Sequence, residues 1–216
     1  MSIQNLEQVA TTKIHEIVQG VEKKITGRLA NRTGEGRTNN TELLLEYVLR
    51  AGGGNYLEIG TLFGGSAIAV ALLKRDFYQN GMVFCVDPLD GYYRKISPRE
   101  DKVDEQSGIS VTPQTFFKNV EDFKVQNRIF LMKEYSTEIV GFCGIEFSVT
   151  YIDGHHWEDV PYSDWELVKD VTTKYVIFDN YDEKHPDLVS AVELAKDDPE
   201  WKECYTEGIT CILERV

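Results

Sequence analysis

The sequence predicts an α/β fold: a doubly wound, largely parallel sheet with helices on both faces, closed by an antiparallel hairpin and preceded by a helical extension. Three observations predict it. Short apolar runs alternate with helical stretches from about residue 56 onward, and the last two runs are joined only by a short Glu-Gly turn. A polar stretch at residues 31–40 also sets an amphipathic first segment apart from the rest. Strand–helix alternation implies crossover helices over a parallel sheet, whereas a tight turn between strands implies a hairpin.

Each element has its own signal. Apolar residues at Ile3, Leu6, Ala10, Ile14, Ile17, Val21, Ile25 and Leu29 recur at steps of three and four, which predicts one helix over residues 3–29. Thr41 is the expected cap of a second helix running to about Arg50, stopped by Gly52-Gly53-Gly54. Strands are expected at 56–59, 82–86, 128–132, 147–152, 175–178, 201–205 and 210–213, and helices at 66–74, 113–123, 160–171 and 188–196. Residues 1–40 read as an extension and 41–216 as one domain, a size that suits a single core. The extension is expected to pack on its own domain, with covering the active site as a lid or pairing between subunits of a homo-oligomer as the alternatives. Residues 88–112 form a long polar segment, the kind that serves as a lid or binding loop, and Tyr92, Tyr93 and Arg94 are candidates for closing over a substrate.

Composition narrows the function classes. The 216 residues carry 36 acidic and 23 basic side chains, a formal charge of -13, which disfavours a nucleic acid partner because phosphate tracking needs clustered cations. No apolar stretch approaches membrane-spanning length, and no signal-peptide core opens the chain. Cys85, Cys143, Cys204 and Cys211 show neither a CxxC pair nor a zinc spacing, and Cys85 and Cys211 sit in apolar runs. A reducing cytoplasm, no membrane and a small-molecule substrate are the expectations.

The strongest motif is Tyr56-Leu-Glu-Ile-Gly-Thr-Leu-Phe-Gly-Gly-Ser-Ala67, a buried strand that runs into glycines and opens a helix at Ser66. Gly60, Gly64 and Gly65 allow close approach of a ligand, and the helix start offers free N–H groups to an anion. The spacing is not the GxGxxG of nicotinamide-binding proteins. Glu58 adds a carboxylate that would repel a pyrophosphate but suits the ammonium of an amino acid. A ligand carboxylate would then sit near Ser66. S-adenosylmethionine carries both groups, and Asp87, ending the second strand, is suited to accept bonds from its ribose hydroxyls.

Two further strand ends are polar: Tyr151-Ile-Asp-Gly-His-His156 and Val176-Ile-Phe-Asp-Asn180. In an open α/β sheet both face the crevice that Gly60 faces. Asp153, Asp179 and Asn180 offer oxygen ligands suited to a hard cation such as Mg²⁺, although Asp and Asn also cap helices where strands meet them. His156 is the candidate general base, since an imidazole with an ordinary pKa near ~6.5 accepts a proton at neutral pH. His155 is an alternative, as a metal ligand or as an anchor of the loop.

Leu57-Glu-Ile-Gly-Thr-Leu-Phe-Gly-Gly-Ser66 resembles motif I of the class I S-adenosylmethionine-dependent methyltransferases, in particular the catechol-type and macrocin-type sugar O-methyltransferases. The resemblance covers roughly residues 41–216 and implies the family's Rossmann-like seven-stranded sheet with a reversed final strand. It implies that Glu58, Gly60, Gly64 and Ser66 lie against the methionine part of the cofactor and Asp87 against its ribose. Glu134-Tyr135-Ser136 would contact the adenine. Catechol-type enzymes hold a metal with an Asp at the fourth strand and Asp-Asn at the fifth, which Asp153, Asp179 and Asn180 match; they usually carry Lys where this chain has His156, whereas certain macrolide-sugar enzymes have His. The expected function is therefore Mg²⁺-dependent methylation of a hydroxyl on a sugar, glycosylated natural product, catechol or diol. The alternatives are a metal-independent methyltransferase using His156, a nicotinamide-dependent dehydrogenase, and a cofactor-binding protein without catalysis.

Overall fold

The computed structural model describes residues 3–29, 40–90, 104 and 106–216. Seven strands form one sheet: β1 (Asn55–Ile59), β2 (Val83–Val86), β3 (Ile129–Met132), β4 (Phe147–Ile152), β5 (Thr172–Phe178), β6 (Trp201–Glu207) and β7 (Thr210–Arg215). The order across it is β3-β2-β1-β4-β5-β7-β6. Neighbours from β3 to β5 run parallel, and β7 pairs antiparallel with both β5 and β6. The predicted sheet and its closing hairpin are both present. The hairpin turns on Gly208, at φ +65°, and Ile209, with Glu207 opposite Thr210.

Among the described residues six α-helices surround the sheet: α1 (Ile3–Lys24), α2 (Asn40–Ala51), α3 (Gly65–Asp76), α4 (Pro113–Asp122), α5 (Val160–Val168) and α6 (Pro186–Lys196). Side chains alternate across a strand, so β1 feeds two cores. Tyr56 packs with Ile14, Val18, Leu44, Ile68 and Phe116 from α1 to α4, while Leu57 and Ile59 pack with Trp165, Val168, Leu188 and Val192 from α5 and α6. Both faces are covered, and strands buried on both sides tolerate the near-continuous apolar runs seen in the sequence. The apolar stripe of α1, Ile14, Ile17, Val18 and Val21, lies in the first of these cores. Cys85 and Cys211 are buried and Cys143 and Cys204 exposed. Among the described residues no helix is long and apolar enough to cross a membrane.

Three predicted boundaries are corrected. The first helix stops at Lys24 rather than at residue 29, because Gly27 takes φ +106° and a Cβ there would meet the Phe63 ring at 2.5 Å. Thr41 does not cap α2, which starts one residue earlier at Asn40. Helix α5 ends at Val168, not 171, because Thr172 already pairs with Phe147, and its hydroxyl lies 2.6 Å from that of Thr150. Tyr92, Tyr93 and Arg94 lie outside the described residues.

Candidate active site

Strand order reverses between β1 and β4, and four neighbouring strands end there in a row held by backbone bonds. Asp87 N–H donates to Met132 O at 3.2 Å, Gly60 N–H to Val86 O at 2.9 Å, Asp153 N–H to Ile59 O at 2.9 Å and Asp179 N–H to Ile152 O at 3.0 Å. One edge of the sheet thus brings together Asp87, Gly60, Asp153 and Asp179, although Gly60 and Asp179 lie 119 positions apart in the sequence. Such a switch point is where open α/β sheets form a crevice.

Gly60 sits at φ +86°, and a Cβ there would lie 2.2 Å from Asp153 O. The glycine is thus required by the close approach of β1 and β4. Likewise a Cβ on Gly64 would meet Phe116 at 2.8 Å, and one on Gly65 would meet Leu29 at 2.6 Å. Beyond the turn, Ser66 Oγ donates to Glu58 Oε1 at 2.8 Å, and Tyr56 Oη donates to Glu58 Oε2 at 2.7 Å. Glu58 is fully buried, and burial outweighs these hydroxyl bonds to push its pKa up to about 7.

Asp87 is also buried and serves the turn itself. Its Oδ2 accepts from Thr61 N and Leu62 N, and its Oδ1 from Leu89 N, each at 2.8 Å. These bonds hold Leu62 at φ +49°, a conformation a branched aliphatic residue otherwise avoids. Three residues on, Asp90 Oδ2 accepts from Tyr135 Oη at 2.5 Å. Ser136 opens a short 3₁₀ turn after β3, and its hydroxyl faces Asp164 of α5, a buried carboxyl whose pKa burial pushes up to about 7.

At β4 and β5 the polar groups converge. One end of the Asn180 amide lies 3.2 Å from Asp179 Oδ2, 3.3 Å from Asp153 Oδ1 and 3.1 Å from His156 Nε2. With the amide nitrogen at that end Asn180 shares its two N–H groups among the three; with its oxygen there, the Nε2–H tautomer of His156 donates to it, and the two carboxyl oxygens are left for a cation or a proton to satisfy. Asn180 itself sits at φ +59°, which Asn tolerates better than most residues. Burial and the neighbouring Asp179 carboxyl hold Asp153 well above the usual carboxylate range. Asp179, also buried, is pushed up to about 6, and its Oδ1 accepts from Asn40 Nδ2 at 2.6 Å. The donor set of two carboxyls and one amide oxygen suits a hard divalent ion. No group of three or more His, Cys, Asp or Glu side chains among the described residues is arranged to hold a metal; any cation here needs the Asn180 amide.

His156 is largely buried beside this trio, and burial, followed by the proximity of His185, pushes its pKa down to about 4. The His185 ring stands edge-on to it at 5.0 Å, and His185 Nδ1 lies 3.0 Å from Asp182 Oδ1. His155 is exposed. Sequence reasoning missed Tyr56, Asn40 and His185, whose contributions depend on contacts between elements. Tyr56 alone had a local signal, since it shares a strand face with Glu58.

No family model and no curated protein matches the sequence. Solved structures do match. The O-methyltransferase NovP superposes with a TM-score of 0.64 at 17% identity, covering 82% of this chain and 78% of its own. The chain therefore has the methyltransferase fold. The same fold relates it to the Podospora anserina methyltransferase PaMTH1 bound to S-adenosylhomocysteine (TM-score 0.60, 11% identity, 100% and 97% of the two chains). It also relates it to CalS11, a TDP-rhamnose 3'-O-methyltransferase of calicheamicin biosynthesis (TM-score 0.59, 15% identity, 99% and 95%).

Proposed function

We propose that this chain is an S-adenosylmethionine-dependent O-methyltransferase that uses a divalent cation, Mg²⁺ by its ligand chemistry, to methylate a hydroxyl of a small molecule. The observation that carries this reading is the row of strand ends. A glycine turn with a buried glutamate stands directly beside two carboxyls, an amide and a neutral imidazole. The fold shared with the O-methyltransferase NovP and with a methyltransferase bound to S-adenosylhomocysteine supports the cofactor. The sugar-nucleotide acceptor in the description of CalS11 favours a sugar or diol hydroxyl.

Each residue then has a task. Glu58 receives the ammonium of the methionine part, which draws the carboxyl to its anionic form; Ser66, in the first turn of α3, lies where the carboxylate of the same part would sit. Asp87 fixes the glycine turn and borders the ribose, while Tyr135 and Ser136 border the adenine. Asp153, Asp179 and Asn180 hold the cation. Bound together, cofactor and cation supply an electrophilic methyl group and a Lewis acid that makes the acceptor hydroxyl more acidic. His156 stands beside this edge as the group to accept the hydroxyl proton, a weaker base than a free imidazole because burial pushes its pKa down to about 4, so the acidity that the cation lends the hydroxyl carries more of the step. Alignment of the two reactants over this short edge supplies much of the rate.

A thermal-shift and turnover experiment tests the proposal. S-adenosylhomocysteine should raise the melting temperature, Mg²⁺ should raise it further, and EDTA should abolish methyl transfer to a vicinal diol or sugar acceptor. Transfer that survives EDTA unchanged would leave His156 acting alone. Stabilisation by NAD and none by S-adenosylhomocysteine would replace the reading with a dehydrogenase.

A further inference from the structure

Asn40 closes a polar run that has no assigned role, and none of the chemical tasks above uses it. It is the first residue of α2 and is buried. Its Nδ2 donates to Asp179 Oδ1 at 2.6 Å, across 139 positions of sequence. That bond occupies one oxygen of Asp179 and leaves Oδ2 as the one 3.2 Å from the Asn180 amide, on the side of Asp153 and His156. The donor therefore fixes the plane of the carboxyl, with one oxygen on Asn40 and the other toward Asp153 and Asn180.

The residue type suits the task. An ammonium or guanidinium in this position would be a resident cation beside two carboxyls and would compete with a divalent ion. An amide stabilises the Asp179 anion without adding charge. The backbone behind it is fixed. Leu44, Leu45 and Val48 of α2 are buried, and the Tyr47 ring meets Tyr175 edge-on at 5.1 Å on β5, the strand that ends in Asp179.

We propose that Asn40 is a positioning residue that holds Asp179 with Oδ2 turned toward Asp153 and Asn180, and thereby sets the affinity of the site for a divalent cation. This rests on the reading of Asp153, Asp179 and Asn180 as cation ligands. Ligand-orienting partners of this kind change metal affinity by roughly ten- to a hundredfold when removed.

The test titrates Mn²⁺ alone into full-length wild type, Asn40→Ala, Asn40→Ser and Asn40→Gln, following free Mn²⁺ by electron paramagnetic resonance. S-adenosylhomocysteine affinity and melting temperature are measured on the same samples. The expected result is Mn²⁺ binding by wild type and weakening by about ten- to a hundredfold in Asn40→Ala and Asn40→Ser. Asn40→Gln, which keeps an amide donor, should recover part of the loss, and S-adenosylhomocysteine affinity should be unchanged throughout. Equal Mn²⁺ affinity in all variants would overturn the role of Asn40 and leave the cation site standing. Parallel loss of Mn²⁺ and S-adenosylhomocysteine binding, or failure of both small variants to fold, would assign Asn40 to architecture instead. A wild type that binds no Mn²⁺ would remove the cation site, and this role with it.

Discussion

Tyr56 and Glu58, two residues apart on the same face of β1, are joined by a 2.7 Å hydrogen bond from the phenol to the carboxyl. With Ser66 on the other oxygen, both partners of this buried acid are neutral hydroxyls.

The pH dependence follows from that pairing. Glu58 titrates at about 7 in the folded chain against an ordinary 4.5. Between those values the folded chain keeps a proton that the unfolded chain has released, so stability falls as pH rises and levels off above 7. The full effect is about 3 kcal/mol at most. Glu58→Gln should remove this contribution and weaken S-adenosylhomocysteine binding. Urea unfolding of wild type and variant at pH 5 and pH 8 measures it; parallel losses in the two proteins would refute the assignment.

Asp87 accepts three backbone N–H groups that would be left buried without partners in Asp87→Ala. Orphaned donors of this kind cost about 1–3 kcal/mol each, less where the loop relaxes. The variant should lose about 2–4 kcal/mol of stability before any ligand is added, together with cofactor affinity. Chemical denaturation of the apoprotein is the measurement, and unaltered stability would contradict it.

Gly60→Ala places a methyl group 2.2 Å from Asp153 O at a φ of +86°. No side chain can move aside, since the obstacle is backbone. The substitution should cost more than ~3 kcal/mol or prevent folding altogether. A soluble variant with a wild-type melting curve would show that β1 and β4 separate more easily than this contact implies.

Asp153→Ala should abolish cation-dependent turnover while leaving S-adenosylhomocysteine affinity near wild type, because Glu58, Ser66 and Asp87 are untouched. Calorimetric titration paired with a methyl-transfer assay decides it, and full activity would end the case for the cation.

Much of the fold was legible because its signals are local. Short apolar runs and the helical period of 3.6 place the seven strands and six α-helices found among the described residues, and the run from Phe147 to Ile152 is matched residue for residue. Boundaries drifted where tertiary contacts decide: Gly27, at φ +106° where a Cβ would strike the Phe63 ring, leaves the helical path after α1, and pairing with Phe147 pulls Thr172 into β5. The site divides in the same way. Glu58, Gly60, Asp87, Asp153, Asp179 and Asn180 were visible because strand ends of an α/β sheet share one edge. Asn40 was invisible because its bond to Asp179 depends on where α2 docks. The turn glycines were visible as glycines, but packing by Phe116 and Leu29 against two of them has no sequence signature.

Asn119 of α4 also bears on how the molecule can be dissected. Its side chain donates to Thr26 O at 2.9 Å and to Phe63 O at 3.0 Å and accepts from Thr26 N at 2.9 Å, while Leu29 fills the space over Gly65. The stretch following the first helix is thereby a wall of the glycine turn. Trimming the chain back to residue 40 would strip that wall away, so a shortened form should bind its cofactor poorly even with every strand-end residue in place.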